Sequence, residues 1–429
     1  MSMKTDIIAA LEYLPQHRKR AGKRAEMIHL DQLIEERRLL HDMRRGHYDL
    51  VMMAYRYRNL ALLSIQEFLS KKKLKPLELE DLLVLGFATI MSRDNTPGPV
   101  LINEFVEASK KSFGKFCGGL CNAYLRKVLR EKNVLLAKLK EAPELALPAA
   151  LQKRWKDIPE VQKILGASLL RRPEKGISGF DKDLTLKRRN LEDWKQSEGF
   201  QAMDIGSWEL CQWINQTLTS SESFKTNKDF HFLDVCSAPG GKLIALSSLL
   251  SKAAQFDKKQ NVTSFATDSK FQRLEQLNSN IENWPQLKIK TALKQWGSED
   301  SPQDDLSSIL KSTRWNFVLA DLPCSGSGTL HTRPDVLEKD LVIEVKKLAK
   351  LQESILKEVL KLNFDSLCVS ICSVDPEEIE FISKILGVKA TFNSLSINSL
   401  PMPPSLDWSD EDFVPKEGLV AWWVNANKT

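Results

Sequence analysis

The chain has 429 residues, 42% hydrophobic and 28% charged, an ordinary globular balance with room for two or three domains. No apolar run reaches the roughly 18 residues that a membrane-spanning helix needs, and the start, Met1-Ser2-Met3-Lys4-Thr5-Asp6, has no signal-peptide apolar region. The net charge of +6 divides unevenly: residues 1–200 carry 38 Lys and Arg against 26 Asp and Glu, and residues 201–429 carry 24 against 30. A basic front half on an acidic back half points to a polyanion held by the front half, a solvated helical surface being the alternative. The 7 cysteines are scattered and odd in number, which argues against a disulfide framework and for a reducing cytoplasm. No Cys/His cluster has zinc-ligand spacing; Cys117-x-x-x-Cys121 lacks a partner pair, so no metal is expected.

Taken in order, the first 140 residues read as helices. Apolar residues recur at three- and four-residue spacing through Leu50, Val51, Ala54 and Leu62, and again through Leu82, Leu85, Phe87 and Ile90. Thr96-Pro97-Gly98-Pro99 punctuates them. A helix through Ile102–Ala108 follows, and then an amphipathic helix, Leu120–Arg130, with a basic face. Ile102-Asn103-Glu104-x-Val106-Glu107, a glycine, and Asn122-Ala123-x-Leu125-Arg126 resemble the NusB-like helical domain that opens the RsmB (Sun/Fmu) RNA cytosine methyltransferases. The resemblance covers residues 40–135 and implies an RNA-binding role. His17-Arg18-Lys19-Arg20, Lys23-Arg24, Arg44-Arg45 and Lys71-Lys72-Lys73 are candidate phosphate contacts, each of which also suits a solvated face. Residues 141–198 read as a basic connector broken by Pro143, Pro148, Pro159 and Pro173, shorter than the partly β subdomain usual in that family.

From residue 199 the pattern changes to alternating strands and helices. Gly199–Ser207 leads into a helix from Trp208 to Leu218. Phe230–Cys236 reads as a strand, Ser237-Ala238-Pro239-Gly240-Gly241-Lys242 as a tight turn, and Leu243–Leu250 as a helix, an arrangement whose backbone amides can approach a nucleotide-like ligand. A second strand ends at Asp268, placed to accept hydrogen bonds from ribose hydroxyls or to cap the next helix, on which Arg273 sits. A third runs over Leu287–Leu293. The run Phe317–Ala320 reads as a buried parallel strand that carries Asp321-Leu322-Pro323-Cys324 to the ligand-binding edge of the sheet. After a long helix with Leu341, Val345, Ile355 and Val359 on one face, a fifth strand ends in Ser370-Ile371-Cys372-Ser373.

Asp234-x-Cys236-x-Ala238-Pro239-Gly240-Gly241-Lys242 resembles the first motif of the same methyltransferase family, and Asp321-x-Pro323-Cys324-Ser325-Gly326-x-Gly328 its fourth. Ser370–Ser373 with Pro376-Glu377-Glu378-Ile379-Glu380 resembles a further one, and Pro415-x-Glu417-Gly418 its closing strand. The resemblance implies a Rossmann-like α/β methyltransferase domain with a mixed, mostly parallel seven-stranded sheet over residues 199–429, behind an all-helical NusB-like domain over 1–140. It implies S-adenosylmethionine as cofactor, held by Cys236, Ser237, Ala238, Pro239, Gly240, Gly241, Lys242, Asp268, Arg273 and Asp321. Cys236 on its own reading is a core or turn cysteine. The sequence departs from the family at Leu243 (usually Thr), Ile371 (Thr) and Ile379 (Asn), and has no Asp after the third strand, where Lys294-Gln295-Trp296 stands.

Two strand-end thiols suit one reaction. Carbon 5 of cytosine is a poor nucleophile, and a thiolate added at carbon 6 turns the ring into an enamine reactive at carbon 5. By resemblance Cys372 is the nucleophile, Cys324 assists release, and Asp321 hydrogen-bonds the protonated ring. The expected activity is RNA cytosine carbon-5 methylation on small-subunit ribosomal RNA by a monomer, with His331 as a surface or RNA-facing residue without a role. Transfer RNA or another ribosomal target, and a decayed enzyme retained as an RNA-binding or ribosome-assembly protein, stay open.

Overall fold

The computed structural model describes residues 45–70, 74–93, 96–171, 177–189, 199–256, 260–297, 305–394 and 418–426, together with 6–8, 10, 11 and 14. The basic clusters at 17–20, 23–24 and 71–73, with Arg44, Pro415 and Glu417, lie outside the described residues. The chain divides into two compact units, one built on residues up to 173 with Leu330–Asp340, the other on Glu174–Thr329 and Leu341–Pro401 with the C-terminal strand.

The first unit is helical: α1 (Arg45–Leu69), α2 (Glu78–Ser92), α3 (Gly98–Phe113), α4 (Lys115–Glu141), α5 (Ala149–Arg154) and α6 (Pro159–Leu170). Helix α2 is buried on nearly every side from Leu79 to Met91, which makes it the centre of this core. A Cβ at Gly86 would stand 2.8 Å from the Leu125 side chain, so α2 and α4 approach closely where that glycine lies. Pro143, Pro148 and Pro159 do not break a connector. Pro143 and Pro159 occupy the first turns of helices and Pro148 caps α5, where a missing N–H costs nothing. Trp155, Leu147 and Leu169 are fully buried here. Arg56 is buried too, donating from Nη1 to Leu169 O at 2.9 Å and from Nη2 to His331 O at 2.5 Å. His331 is therefore no surface residue: it is 8% exposed and its Nδ1 lies 3.1 Å from Ser168 O.

The second unit holds a small sheet, β1 (Ile177–Asp181), β2 (Leu186–Arg189) and β3 (Phe200–Ala202), in the order β2-β1-β3. Helices α7 (Ile205–Thr219) and α8 (Glu222–Thr226) lead to the main sheet. Its strands are β4 (Asp229–Asp234), β5 (Asn261–Asp268), β6 (Ile289–Leu293), β7 (Trp315–Asp321), β8 (Phe364–Ile371), β9 (Phe392–Asn393) and β10 (Val420–Asn425). Their order is β6-β5-β4-β7-β8-β10-β9, with β4 to β8 parallel and β10 antiparallel to β8 and β9. Between them run α9 (Gly241–Phe256), α10 (Phe271–Glu282), α11 (Asp305–Ser312), α12 (Leu341–Val359) and α13 (Pro376–Leu386).

Both faces of this sheet are covered. Phe230, Phe232, Phe317 and Leu319 enter one apolar cluster, while Leu233, Val235, Val318 and Ala320 enter another, as the two-residue period of a strand requires. The chain order reverses between β4 and β7, and crevices at the carboxyl ends of strands open at such a reversal. No described helix is long and apolar enough to cross a membrane.

Candidate active site

The carboxyl ends of β4, β5, β7 and β8 carry the predicted site residues. After β4 the chain makes the turn Ser237–Gly241 before α9. Ser237 N donates to Thr267 O at 2.9 Å and Gly240 N to Ser237 O at 2.8 Å, which ties the turn to the end of β5. Gly240 has φ +102°, and a Cβ there would stand 2.4 Å from Leu277 Cδ1, so the turn requires glycine twice over.

Asp268, 2% exposed, braces the same turn. Its Oδ2 accepts from Ala238 N at 3.3 Å and its Oδ1 from Lys270 N at 3.1 Å. Arg273 Nη2 lies 3.5 Å from Asp268 Oδ2 and donates to Ala238 O, so Arg273 brackets the acid and the turn together. Asp234, 1% exposed at the end of β4, has Oδ1 buried with no hydrogen-bond partner among the described residues. Burial, opposed by the neighbouring Ser237 hydroxyl and reinforced by the charge of Asp321, pushes its carboxyl up to about 7. Cys236 packs against the core, and burial raises its thiol's pKa far above the ordinary range, so it is no nucleophile.

Lys242, in the first turn of α9, reaches from this turn to β7: its Nζ lies 2.7 Å from Asp321 Oδ2. Burial works against the ammonium charge, but the Asp321 carboxylate outweighs it and raises the pKa of Lys242. The other oxygen, Asp321 Oδ1, accepts from Ser370 Oγ at 2.6 Å. Asp321 and Ser370 are paired in register across the parallel strands β7 and β8, which is why the two meet.

The same pairing brings the two strand-end thiols together. Cys324 Sγ lies 3.1 Å from Cys372 Sγ, and both residues are half-buried. The bond to Cys372 and burial raise the pKa of Cys324. The loops are locked to each other beside them: Gly328 N donates to Cys372 O at 3.2 Å, and Gly418 N to Gly328 O at 2.9 Å. A Cβ on Gly328 would stand 2.0 Å from Gly418 O, so the closing Gly418 abuts the fourth motif directly.

Three motif departures belong to the apolar packing of the sheet. Leu243 lies in one core cluster, Ile371 in the other, and Ile379 packs against the second. The position after β6 holds an ion pair: Lys294 Nζ lies 2.7 Å from Glu358 Oε1 and 4.9 Å from the centre of the Trp296 ring. Sequence reasoning missed Ser370 as a partner of Asp321, although it stands two residues before Cys372 in the motif. It also missed the buried Gln352, and it quoted Glu378 within a motif without its partner, because a polar residue on an otherwise apolar helix face carries no sign of what it bonds. Among the described residues no cluster of His, Cys, Asp and Glu could hold a metal ion.

Comparison with known proteins adds two family matches. The model of the 16S rRNA methyltransferase RsmB/F family matches residues 223–412, and that of the NusB family residues 5–130. The chain is 26% identical over 322 residues to Ribosomal RNA small subunit methyltransferase B of Pasteurella multocida, spanning 69% of this chain and 68% of that one. It is 23% identical over 341 residues to the probable enzyme of that name from Synechocystis, spanning 71% and 72%. Over 153 residues, 34% of this chain and 31% of the relative, identity to the Salmonella arizonae protein of that name is 33%. Among solved structures, that of PH0851 superposes with a TM-score of 0.59 at 16% identity, covering 99% of this chain and 98% of that one, which is a likeness of fold.

Proposed function

Because residues 223–412 match the RsmB/F methyltransferase family and residues 5–130 the NusB family, we propose that the chain methylates carbon 5 of a cytosine in small-subunit ribosomal RNA through a two-cysteine covalent mechanism. The observation that carries this reading is the 3.1 Å approach of Cys324 and Cys372 beside the Lys242–Asp321 pair. A methyltransferase acting without a covalent step has no use for two thiols in contact.

The methyl donor is S-adenosylmethionine, which supplies an electrophilic methyl group on a sulfonium centre. The crevice suits it: a buried carboxylate oxygen of Asp234 without a partner, a glycine turn that a Cβ would fill, and an acid at the end of the next strand. In this reading Asp234, the turn 237–241 and Asp268 hold the donor, with Arg273 bracing the acid and the turn.

Before reaction the two sulfurs stand within hydrogen-bond reach of each other, and the thiolate form of Cys372 is the nucleophile of this reading. The Lys242 ammonium adds positive field at Cys372; the two attract each other. The Cys372 thiolate adds to carbon 6 of the cytosine, and carbon 5 becomes nucleophilic. Asp321 is paired with Lys242 and oriented by Ser370, so it can accept a hydrogen bond from the protonated ring nitrogen. Once Cys372 is bonded to carbon, its charge no longer opposes ionisation of Cys324. Cys324 then releases its thiol proton to solvent, and the resulting thiolate takes the carbon 5 proton as the carbon 6–sulfur bond breaks to return Cys372 as thiolate and the ring nitrogen gives up its added proton.

The target cytosine must leave any helix to meet these groups. We assign RNA contact to the basic surface of the helical unit, where Lys110, Lys111, Lys115, Arg126 and Arg130 are exposed, as is Phe116 at 82%. Free thiols at Cys324 and Cys372 support a reducing compartment such as the cytoplasm.

The test is covalent trapping. Cys324→Ala protein incubated with small-subunit ribosomal RNA and S-adenosylmethionine should accumulate a protein–RNA adduct on a denaturing gel. The adduct should vanish in Cys324→Ala/Cys372→Ala, and sequencing its RNA names the target. Absence of an adduct with naked RNA and with intact subunits would sink the two-cysteine reading, and failure to bind S-adenosylmethionine as well would leave an RNA-binding protein.

A further inference from the structure

Cys324 is pinned through the peptide groups on either side of it. The carbonyl before it, Pro323 O, accepts from Gln352 Nε2 at 2.9 Å. The amide after it, Ser325 N, donates to Glu378 Oε1 at 3.1 Å and to Oε2 at 3.4 Å. The two clamping side chains also bond each other, Gln352 Nε2 to Glu378 Oε1 at 2.8 Å. Gln352 comes from α12 and Glu378 from α13, and both are 0% exposed.

The clamp extends to the other cysteine. Ser325 Oγ donates to Glu378 Oε2 at 2.7 Å and lies 3.1 Å from Ser373 Oγ, the residue after Cys372. Ser373 Oγ in turn lies 2.8 Å from Ser327 Oγ and accepts from Asp375 N at 3.1 Å. The residues after Cys324 and Cys372 therefore share one buried hydrogen-bond network. Such networks fix geometry when every member is satisfied, and they are costly when one is removed.

All the hydrogen-bond donors on Glu378 are neutral: a backbone amide, a hydroxyl and a side-chain amide. A carboxylate is an expensive choice for a site that an amide could fill. An amide of that size would lack the second acceptor oxygen: Oε1 accepts from Ser325 N and Gln352 Nε2 while Oε2 accepts from Ser325 Oγ.

We propose that Glu378 and Gln352 are positioning residues for Cys324, clamping the peptide groups around it so that its thiol stays against Cys372 and in place for product release. The inference rests on the two-cysteine reading and names residues that never touch RNA or cofactor. A clamp on Cys324 affects the release step, whereas a residue that merely supports the fold affects every step alike.

The covalent trap separates these roles. Glu378→Gln keeps the size of the side chain but loses the charge and puts a donor where the network supplies donors. With small-subunit ribosomal RNA and S-adenosylmethionine, it should accumulate the adduct that Cys324→Ala accumulates, with release slowed roughly tenfold or more, as misplacement of a reacting group implies. Its affinity for S-adenosylmethionine should stay within about twofold of the wild type, and Cys372→Ala in the same background should abolish the adduct. Gln352→Met, which keeps the length but cannot donate, should behave likewise and serves if Glu378→Gln does not fold. Adduct from Cys324→Ala but none above wild type from folded Glu378→Gln and Gln352→Met would overturn the clamp and leave the two-cysteine reading standing. No adduct from Cys324→Ala would sink that reading and this inference with it.

Discussion

Replacing Asp234 by Asn should make the protein more stable above neutral pH and worse at binding its cofactor. Asp234 is 1% exposed, and one oxygen lacks a partner among the described residues. Burial raises its pKa from 3.8 to about 7. Between those two values the folded chain holds a proton that the unfolded chain has released, so stability falls as pH rises through that window. At about 1.36 kcal/mol for each pKa unit, the full cost above neutrality is about 4 kcal/mol. Asn carries no such cost. Paired urea-unfolding curves followed by tryptophan fluorescence, at about pH 5 and about pH 8, should show the Asn variant gaining on the wild type by several kcal/mol across that interval. The comparison between the two proteins removes other titrating groups, which are common to both. Wild-type affinity for the cationic donor should also fall as pH drops below about 7, because the neutral acid no longer complements a positive charge. Parallel stabilities at both pH values would mean that Asp234 is ionised throughout, and the burial argument would fail.

Other substitutions probe the remaining groups. Ser370→Ala removes one hydrogen bond to a charged acceptor, worth about 1.5–3 kcal/mol, so kcat should fall about tenfold to a hundredfold with the KM for RNA little changed. Lys242→Met leaves the Asp321 carboxylate without its 2.7 Å partner. Single-turnover methylation should be lost, and the Cys324→Ala adduct should weaken in that background. Gly240→Ala forces a side chain into φ +102° against Leu277. It should cost about 1–3 kcal/mol and abolish donor binding by calorimetry, while leaving the far-ultraviolet circular dichroism of the helical unit intact.

The sequence alone determined the order of strands and helices in the second unit, because their signals are local. A strand shows in four to eight apolar residues such as Phe317–Ala320, and a ligand turn in the glycines after Asp234. For the same reason the thiols could be placed at strand ends, and the front half could be read as basic and helical. Pro143, Pro148 and Pro159 were misread because a proline can end one helix or begin the next, and only the backbone on its C-terminal side distinguishes the two. His331 was misread because its burial depends on Arg56 and Ser168, which are distant in the chain.

Only the tertiary structure decided what the thiols can do. Cys324 and Cys372 stand 48 residues apart, and the parallel register that pairs Asp321 with Ser370 sets them 3.1 Å from each other. Likewise Gln352 and Glu378 are each the polar residue among the buried positions of their helices, and nothing in their neighbours announces that they close on the peptide groups of Cys324. A buried polar group is defined by its partner, and the partner is chosen by packing between elements, which no local pattern encodes.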